Sequence, residues 1–379
     1  MRSVRDIPQL ENIPVLVRAA LNVPVENGKV VNSFRLRSAL PTIEFLRKKH
    51  ARVILIGHIG EKGTETLEPV YQAMKELVSG IAWCPVTVGT DARTAVRNLP
   101  AGGVLMLENL RRDVGEVGNS PELARKLAEL GDVFVEDSFD VCHREHASVV
   151  GVPKLLAPYA GLQVTREVEE LTKALAPKSP SLAVIGGAKF TTKESVLSKL
   201  LEKYDRVFVG GALANDFMVA AGHSVGKSLV SSDVDELAIR TLLKNPKLML
   251  PLDEIAAPLD AVRTDGNVFA LDRVPKTSAI YDDGPKTSAA LAALVARANT
   301  VLWNGPLGLY EKGFTDGTEQ LAKAIGTSSA YSILGGGDTV AAVEELHLSK
   351  RFSFISTGGG AMLDFLAKGT LPGLRALER

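Results

Sequence analysis

Short apolar runs, each followed by a polar or glycine-rich segment, recur along the chain and constrain its fold more than any other feature. They lie at residues 15–17, 53–56, 104–107, 133–135, 182–185, 207–209, 248–250, 301–303, 332–334 and 352–355. Stretches with helical spacing lie between them, among them 121–130 and 339–346. Strands that are apolar on both faces and alternate with helices are typical of buried parallel sheets. The sequence therefore predicts an α/β protein.

The runs form two series, and the chain is long enough for two domains. Its 379 residues exceed what one hydrophobic core usually organises. Between the series, residues 164–171 have helical spacing, and Pro177 and Pro180 close that segment. We expect a first lobe over 1–158, a connecting helix within 159–176 and a second lobe over 177–370.

Composition narrows the class of protein. Apolar residues make up 45% and charged residues 23%, and Lys+Arg equals Asp+Glu at 44 each. A balanced charge argues against binding to nucleic acid or to an anionic membrane, because a basic excess supplies that affinity. No run of 18 apolar residues and no signal-peptide pattern is present. We expect a soluble, cytoplasmic protein whose two cysteines are reduced.

Polar and glycine-rich clusters follow directly on the apolar runs. Open parallel sheets bind ligands beyond the carboxyl ends of their strands, so each half should carry one such binding edge. The clusters of the second half begin at Gly186, Gly210, Asn304, Gly335 and Ser356. A strand, then glycines, then a helix lets backbone N–H groups face an anion. Five such loops on one edge predict a phosphate site.

Three charged residues accompany these loops. Lys189 and Lys193 are four residues apart and would share one face of a helix that began there. Asp338 follows three glycines and is suited to a Mg²⁺ ion that stays bound to nucleotide oxygens. The second half is thus expected to hold a magnesium nucleotide.

Eight segments, in order from about Val17 to Gly373, resemble the signature segments of the phosphoglycerate kinase family. They are 22–24 (NVP), 108–111 (ENLR), 143–148 (HREHAS), 186–189 (GGAK), 283–287 (DGPKT), 303–308 (WNGPLG), 335–339 (GGGDT) and 356–361 (STGGGA).

The resemblance implies two doubly wound, Rossmann-like parallel-sheet lobes joined by a hinge helix. It also implies that residues 371–379 fold back on the first lobe, and we expect a monomer. Such kinases bind 3-phosphoglycerate on the first lobe and ATP or ADP with Mg²⁺ on the second. They close by hinge-bending and move a phosphoryl group between 1,3-bisphosphoglycerate and ADP. No general base is required, because the glycerate carboxylate is already ionised at pH 7.

The resemblance also implies individual roles. Lys189, Arg35, Gly358 and Gly359 would serve phosphoryl transfer, and Asp338 would hold Mg²⁺. The nucleotide would contact Gly187, Lys193, Gly210, Gly211, Asn304, Pro306, Glu311, Asp338 and Thr339. The phosphoglycerate would contact Arg18, Asn22, Arg35, His58, Arg111 and Arg144, and arginine suits this task because its planar fork binds phosphate oxygens in two places.

Two departures from the family pattern lie in the first lobe. Ala20 stands where the family has an aspartate that holds the substrate hydroxyl, and Glu61 stands where it has an arginine. Beside a phosphoglycerate kinase, two alternatives therefore stay open at this stage: a kinase for a different carboxylate, and a non-catalytic nucleotide-binding relative.

Overall fold

The computed structural model describes residues 1–232, 234–262 and 265–378. Two parallel six-stranded sheets dominate these residues, together with a three-stranded antiparallel sheet and a two-stranded hairpin. The strands are β1 (Pro14–Arg18), β2 (Val25–Glu26), β3 (Lys29–Val30), β4 (Arg52–Ile56), β5 (Ala82–Cys84), β6 (Val104–Leu107), β7 (Val133–Glu136), β8 (Ala157–Ala160), β9 (Ser181–Ile185), β10 (Arg206–Val209), β11 (Leu248–Met249), β12 (Asp253–Ala257), β13 (Asn267–Ala270), β14 (Ala279–Asp283), β15 (Thr300–Asn304), β16 (Tyr331–Gly335) and β17 (Phe354–Ile355).

Helices lie between many of the strands, and two more follow the last strand. They are α1 (Phe34–Lys48), α2 (Glu68–Leu77), α3 (Thr90–Asn98), α4 (Pro121–Ala128), α5 (Leu162–Ala174), α6 (Glu194–Lys203), α7 (Ala212–Ala220), α8 (Glu236–Leu243), α9 (Pro285–Val295), α10 (Asp316–Thr327), α11 (Gly337–Glu345), α12 (Gly359–Lys368) and α13 (Pro372–Ala376). Helix α4 shows why such segments fold locally: the Ser120 side chain caps it by accepting from the Leu123 N–H, and Pro121 occupies its first turn. Its buried Leu123 and Leu127 face the core.

The first sheet has the order β5-β6-β4-β1-β7-β8, with all neighbours parallel. Val15 pairs with Val53 on one side and with Val133 on the other. The first strand, β1, lies in the interior of the sheet. The next three strands of this sheet along the chain lie on one side of β1, and the last two lie on the other side. The order therefore reverses between β1 and β7, which is where a doubly wound sheet opens a ligand crevice.

The second sheet repeats this plan in the order β11-β10-β9-β15-β16-β17. Its strands are parallel, and β9 pairs with both β10 and β15. All five residues of β9 and of β15 are buried, as expected of strands covered on both faces. The switch point of this sheet lies between β9 and β15.

The expected α/β class and the doubly wound parallel sheets are confirmed, and every apolar run overlaps a strand. The sequence pattern gave no sign of β5, β8, the β2–β3 hairpin or the antiparallel sheet β13-β12-β14. Acids at Asp253, Glu254, Asp282 and Asp283 interrupt the apolar character of β12 and β14. Without an apolar run, these two strands do not stand out in the sequence.

The chain divides into two compact units. The first comprises residues 1–169 with 370–379, and the second comprises 170–369, so the division falls within helix α5. Helix α13 packs in the first unit, where the Gly373 N–H donates to the Cys142 carbonyl at 2.8 Å. Arg379 lies outside the described residues. None of the described helices is both long enough and apolar enough to cross a membrane.

Candidate active site

Two glycine loops meet at the switch point of the second sheet. The Gly186 N–H donates to the Asn304 carbonyl at 2.8 Å, and the Gly187 N–H donates to the Pro306 carbonyl at 3.0 Å. A Cβ on Gly186 would lie 2.2 Å from the Pro306 carbonyl oxygen, and Gly187 and Gly305 have φ of +91° and +94°. Only glycine allows both this close approach and these positive φ angles.

A cavity of about 480 Å³ opens beside the two loops. Five of the residues expected to contact nucleotide line it: Gly187, Gly211, Pro306, Glu311 and Asp338. Asp338 is exposed in the first turn of α11, and Glu311 lies in a short 3-10 turn. The volume falls in the range of sites that enclose a small-molecule ligand or cofactor.

Lys193 is buried beside this cavity and has no acidic partner among the described residues. Its Nζ lies 3.1 Å from the position of a Cβ on Gly187, so the ammonium group faces the glycine loop. Burial lowers the pKa of this ammonium group, because no carboxylate compensates the lost hydration. An anion bound at the loop would supply the missing charge.

The expected helical pairing of Lys189 with Lys193 is wrong. Helix α6 begins at Glu194, and Lys193 occupies the position that precedes it. The chain between Gly187 and Lys193 runs through bends and turns, so a spacing of four does not place two side chains on one face. Lys189 is exposed, in contrast to Lys193.

The loops after β16 and β17 also approach each other closely. A Cβ on Gly359 would lie 2.8 Å from the Gly336 Cα, and the Asn304 side-chain amide donates to the Gly359 carbonyl at 3.4 Å. Helices α11 and α12 begin at this point, so both present free backbone N–H groups. Thr339 is fully buried, and its hydroxyl has no hydrogen-bond partner among the described residues.

Gly210 and Gly358 complete the set of expected nucleotide-side residues. The Gly210 N–H donates to the Ile185 carbonyl at 3.0 Å, and the Gly358 N–H donates to the Ser356 hydroxyl at 3.2 Å. The donor set of this region suits phosphate: glycine amides, two helix N-termini and a buried lysine. For Mg²⁺ the glycine loops offer the exposed carboxylate of Asp338, and no cluster of three metal-binding side chains occurs among the described residues. One protein carboxylate is what suits a Mg²⁺ held mainly by phosphate oxygens and water.

In the first unit, Arg18 ends β1 and is completely buried. Its Nε donates to the Ser148 hydroxyl at 3.1 Å, one Nη donates to the Ala19 carbonyl at 3.0 Å, and the other Nη lies 3.0 Å from Nδ1 of His58. Because a guanidinium can only donate, Nδ1 of His58 is the acceptor and its Nε2 carries the proton. Burial and the charge of Arg18 hold the pKa of His58 well below its ordinary value, so the imidazole is neutral.

Asn22, Arg35 and Arg111 surround the loop that follows β4. The Gly60 N–H donates to the Asn22 side-chain oxygen at 3.1 Å, and Arg111 donates to the Gly60 carbonyl. Arg35 donates to the Asn22 carbonyl at 2.6 Å. Nε of Arg111 is buried without a hydrogen-bond partner among the described residues. Three of the expected substrate residues thus lie around one loop.

Arg144 differs in solvent exposure from one of the two residues that depart from the family pattern, Ala20 and Glu61. Arg144 and Glu61 are exposed, whereas Ala20 is buried. Burial is the main cause that lowers the pKa of Arg111, and the charges of Arg18 and Arg144 add to it. Glu116 and, to a smaller extent, Glu61 oppose this shift. These residues therefore form a positive cluster within a chain of zero net charge, and Glu61 weakens that cluster.

Sequence reasoning missed several residues that line the cavity, chiefly Asn215, Glu254 and Asp283. Asn215 lies in α7, and the two acids lie in the antiparallel sheet. An acid in an otherwise apolar strand, such as Glu254 before Ile255, is the signal that could have revealed them.

Known proteins are similar to this chain in sequence and in fold. The family model described as Phosphoglycerate kinase matches residues 4–369. The phosphoglycerate kinase of Moorella thermoacetica is 42% identical to this chain, and the match covers 97% of each of the two chains. That of Thermus thermophilus is also 42% identical, and the match covers 96% of each. The crystal structure of phosphoglycerate kinase from Pyrococcus horikoshii OT3 has a TM-score of 0.89 at 29% identity, covering 100% of this chain and 98% of that one. The structure of phosphoglycerate kinase from Coxiella burnetii has a TM-score of 0.82 at 38% identity, covering 99% and 98%. This chain belongs to the phosphoglycerate kinase family.

Proposed function

We propose that the chain catalyses reversible phosphoryl transfer between 1,3-bisphosphoglycerate and Mg-ADP, giving 3-phosphoglycerate and ATP. The observation that carries this proposal is the cavity beside the two glycine loops, together with buried Lys193, whose ammonium group faces Gly187 of one loop and has no compensating carboxylate among the described residues. Family membership over nearly the whole chain gives the reaction type. The acceptor is a carboxylate, which needs no deprotonation by the protein.

In this proposal the second unit binds the nucleotide. Lys193 and the glycine amides hold phosphate oxygens, Thr339 donates its unpartnered hydroxyl to a phosphate, and Glu311 accepts from the ribose hydroxyls. Lys189, exposed at the same loop, stabilises the phosphoryl group during transfer, together with the N–H groups near Gly358 and Gly359. The remaining nucleotide contacts are Gly187, Gly210, Gly211, Asn304 and Pro306.

Asp338 holds Mg²⁺ in this proposal. When bound with the nucleotide, the ion would neutralise part of the charge of the phosphates. The protein's own contribution is mainly to position the phosphates and to surround them with fixed donors. The glycine loops, which are joined to each other by backbone hydrogen bonds, would hold these donors in position.

In the first unit, Arg18, Asn22, Arg35, His58, Arg111 and Arg144 are proposed to surround 3-phosphoglycerate. Neutral His58 offers its Nε2–H as a donor, since Nδ1 accepts from Arg18. Ala20 supplies no carboxylate for the substrate hydroxyl. Losing one charged hydrogen bond of this kind costs about 1.5–3 kcal/mol, so we expect a raised KM for 3-phosphoglycerate.

The test is a coupled assay with 3-phosphoglycerate and Mg-ATP, followed in both directions. Turnover that depends on both substrates and saturates with 3-phosphoglycerate supports the proposal. Turnover no higher than the background rate at millimolar concentrations of both substrates contradicts it.

A further inference from the structure

Three buried polar side chains of the second unit line the same cavity, and each has one oxygen without a hydrogen bond. They are Asn215, Glu254 and Asp283, with exposed fractions of 1%, 1% and 2%. Asn215 Oδ1, Glu254 Oε2 and Asp283 Oδ2 have no hydrogen-bond partner among the described residues. Leaving a buried polar group unpaired costs about 1–3 kcal/mol, so three together destabilise the fold considerably.

Glu254 and Asp283 face each other across the antiparallel sheet. Residue Glu254 of β12 pairs directly with Asp283 of β14, which brings the two Cβ atoms to within about 4.5–5.5 Å. Burial and the neighbouring acids raise the pKa of both carboxyl groups well above the ordinary range, and the nearby Gly211 N–H opposes that rise only in part at Asp283. No arginine or lysine compensates the pair among the described residues. The fold thus holds two carboxyl groups together without a cationic partner.

The orientation of Asn215 is determined by its other side-chain atom. Its Nδ2 donates to the Leu229 carbonyl at 2.9 Å. Rotating the amide would place its oxygen against that carbonyl, so Oδ1 is the free atom and it can only accept. The unsatisfied oxygen of Asn215 is therefore an acceptor. The raised pKa values mean that the carboxyl pair holds a proton, and a proton shared between the two facing carboxyls still leaves an acceptor oxygen on the pair. In that state the cluster has more acceptors than donors.

The position of these acceptors in the cavity separates them from the phosphate-facing groups. Lys193, Thr339 and the glycine amides lie in the loops and helix starts that follow strands of the parallel sheet, whereas the acceptors lie in the antiparallel sheet and in α7. Tyr281 and Leu259 add apolar lining beside the acceptors. A nucleotide whose phosphates lie on the loops would direct its base towards this side.

We propose that Asn215, Glu254 and Asp283 form a base-reading acceptor cluster that favours guanine over adenine. Guanine presents N1–H and a 2-amino group side by side, which are the donors that the cluster lacks. Adenine presents a single amino group next to the N1 acceptor, which would face oxygen lone pairs. This inference rests on the proposed nucleotide-binding function and names the base.

The test is calorimetric titration of the full chain with GDP, ADP and IDP, whose hypoxanthine base keeps N1–H but lacks the 2-amino group. We expect GDP to bind roughly tenfold more tightly than ADP, with IDP in between, since one hydrogen bond to a charged group corresponds to about that factor. Because the unsubstituted chain provides this comparison, it does not depend on the folding of any variant.

Variants then assign the effect to the cluster. Glu254→Gln replaces an acceptor oxygen by an amide donor and should lower the affinity for GDP roughly tenfold, with ADP affinity changed less than about twofold. Glu236→Gln is the matched control, because the same exchange occurs on the exposed surface of α8. It should alter neither affinity.

Equal binding of GDP and ADP, or tighter binding of ADP, overturns the base selection and leaves the proposed function intact. Unchanged GDP affinity in Glu254→Gln also overturns it. A chain that selects GDP but shows no turnover with 3-phosphoglycerate and either nucleotide contradicts the proposed function alone.

Discussion

Each unit has a buried cation near the carboxyl ends of its parallel strands, but the two cations differ in whether groups of the fold are bonded to them. In the second unit, Lys193 is buried without an acidic partner among the described residues, and the hydroxyl of Thr339 is unpartnered there. In the first unit, Arg18 is also buried, but Ser148, the Ala19 carbonyl and His58 occupy its donors. In the second unit, only an added anion can balance the charge of Lys193. In the first unit, the donors of Arg18 are already bonded to groups of the fold.

The surroundings of Arg18 extend this contrast. Ser148 in turn donates to buried Glu116 at 2.6 Å, and the charge of Arg18 opposes the rise that burial causes in the pKa of Glu136. Arg18 therefore stabilises buried acids of its own unit. Substrate charge in that unit would be met mainly by the half-buried Arg35 and Arg111 and by the exposed Arg144.

The largest effect is expected for Arg18→Met. Removing the guanidinium breaks its buried hydrogen bonds to Ser148, the Ala19 carbonyl and His58, which together are worth about 3–5 kcal/mol. Chemical denaturation followed by circular dichroism measures this loss in the free energy of unfolding. Arg125→Met, at an exposed site on α4, is the control. A loss below about 1 kcal/mol would show that Arg18 is not a structural cation.

Lys193→Met should lower activity without lowering stability, in contrast to Arg18→Met. Removing the donor that faces the glycine loop should lower kcat/KM about 10²–10³-fold, in line with the loss of one fixed electrostatic contact. Stability should be unchanged or higher, because an uncompensated buried charge is removed. Lys199→Met, which breaks only the surface ion pair with Glu202, is the control. Loss of stability without loss of activity would contradict this contrast between the units.

Ala20→Asp combined with Glu61→Arg tests whether these two departures from the family pattern weaken the binding of 3-phosphoglycerate. Restoring one charged hydrogen bond should lower the KM for 3-phosphoglycerate roughly tenfold or more, while the KM for nucleotide stays the same. Initial-rate measurements that vary each substrate separately give the two constants. Ala101→Asp, in an exposed turn, is the control for adding an acid. An unchanged KM for 3-phosphoglycerate would mean that the two departures do not limit its binding.

The smallest effect concerns His146 of the first unit. Burial and three arginines lower the pKa of His146 to about 4, so the unfolded chain binds this proton more readily than the folded chain. Stability is therefore lost as the pH falls from about 6.5 towards 4. His146→Gln should narrow the difference in unfolding free energy between pH 7 and pH 5 by about 1 kcal/mol. An unchanged difference in His146→Gln would contradict this account of the pH dependence.

The parts of the fold that sequence could predict are those with a strong local signal. Runs such as Val104–Leu107 are apolar on both faces, so their strands and the loops that follow could be located. Strands β12 and β14 could not, because Glu254 and Asp283 replace apolar residues there. Their burial depends on a tertiary arrangement that periodicity does not report.

The candidate site shows the same limit. Glycines that allow close approach, such as Gly186 and Gly305, are visible in the sequence because few other residues fit. The start of helix α6 is not visible, so the pairing of Lys189 with Lys193 was predicted wrongly. Likewise, nothing local distinguishes buried Arg18 from exposed Arg144, since the partners of Arg18 lie up to 130 residues away.

Separate titrations of ADP and of 3-phosphoglycerate against Lys193→Met and Arg144→Ala test the central contrast most directly. Calorimetry should show that Lys193→Met lowers the affinity for ADP at least about tenfold and changes the affinity for 3-phosphoglycerate less than about twofold. Arg144→Ala should weaken 3-phosphoglycerate and leave ADP unchanged. If either variant lowers the affinity for both ligands equally, or lowers only the affinity for the ligand assigned to the other unit, the assignment of one binding site to each unit is wrong.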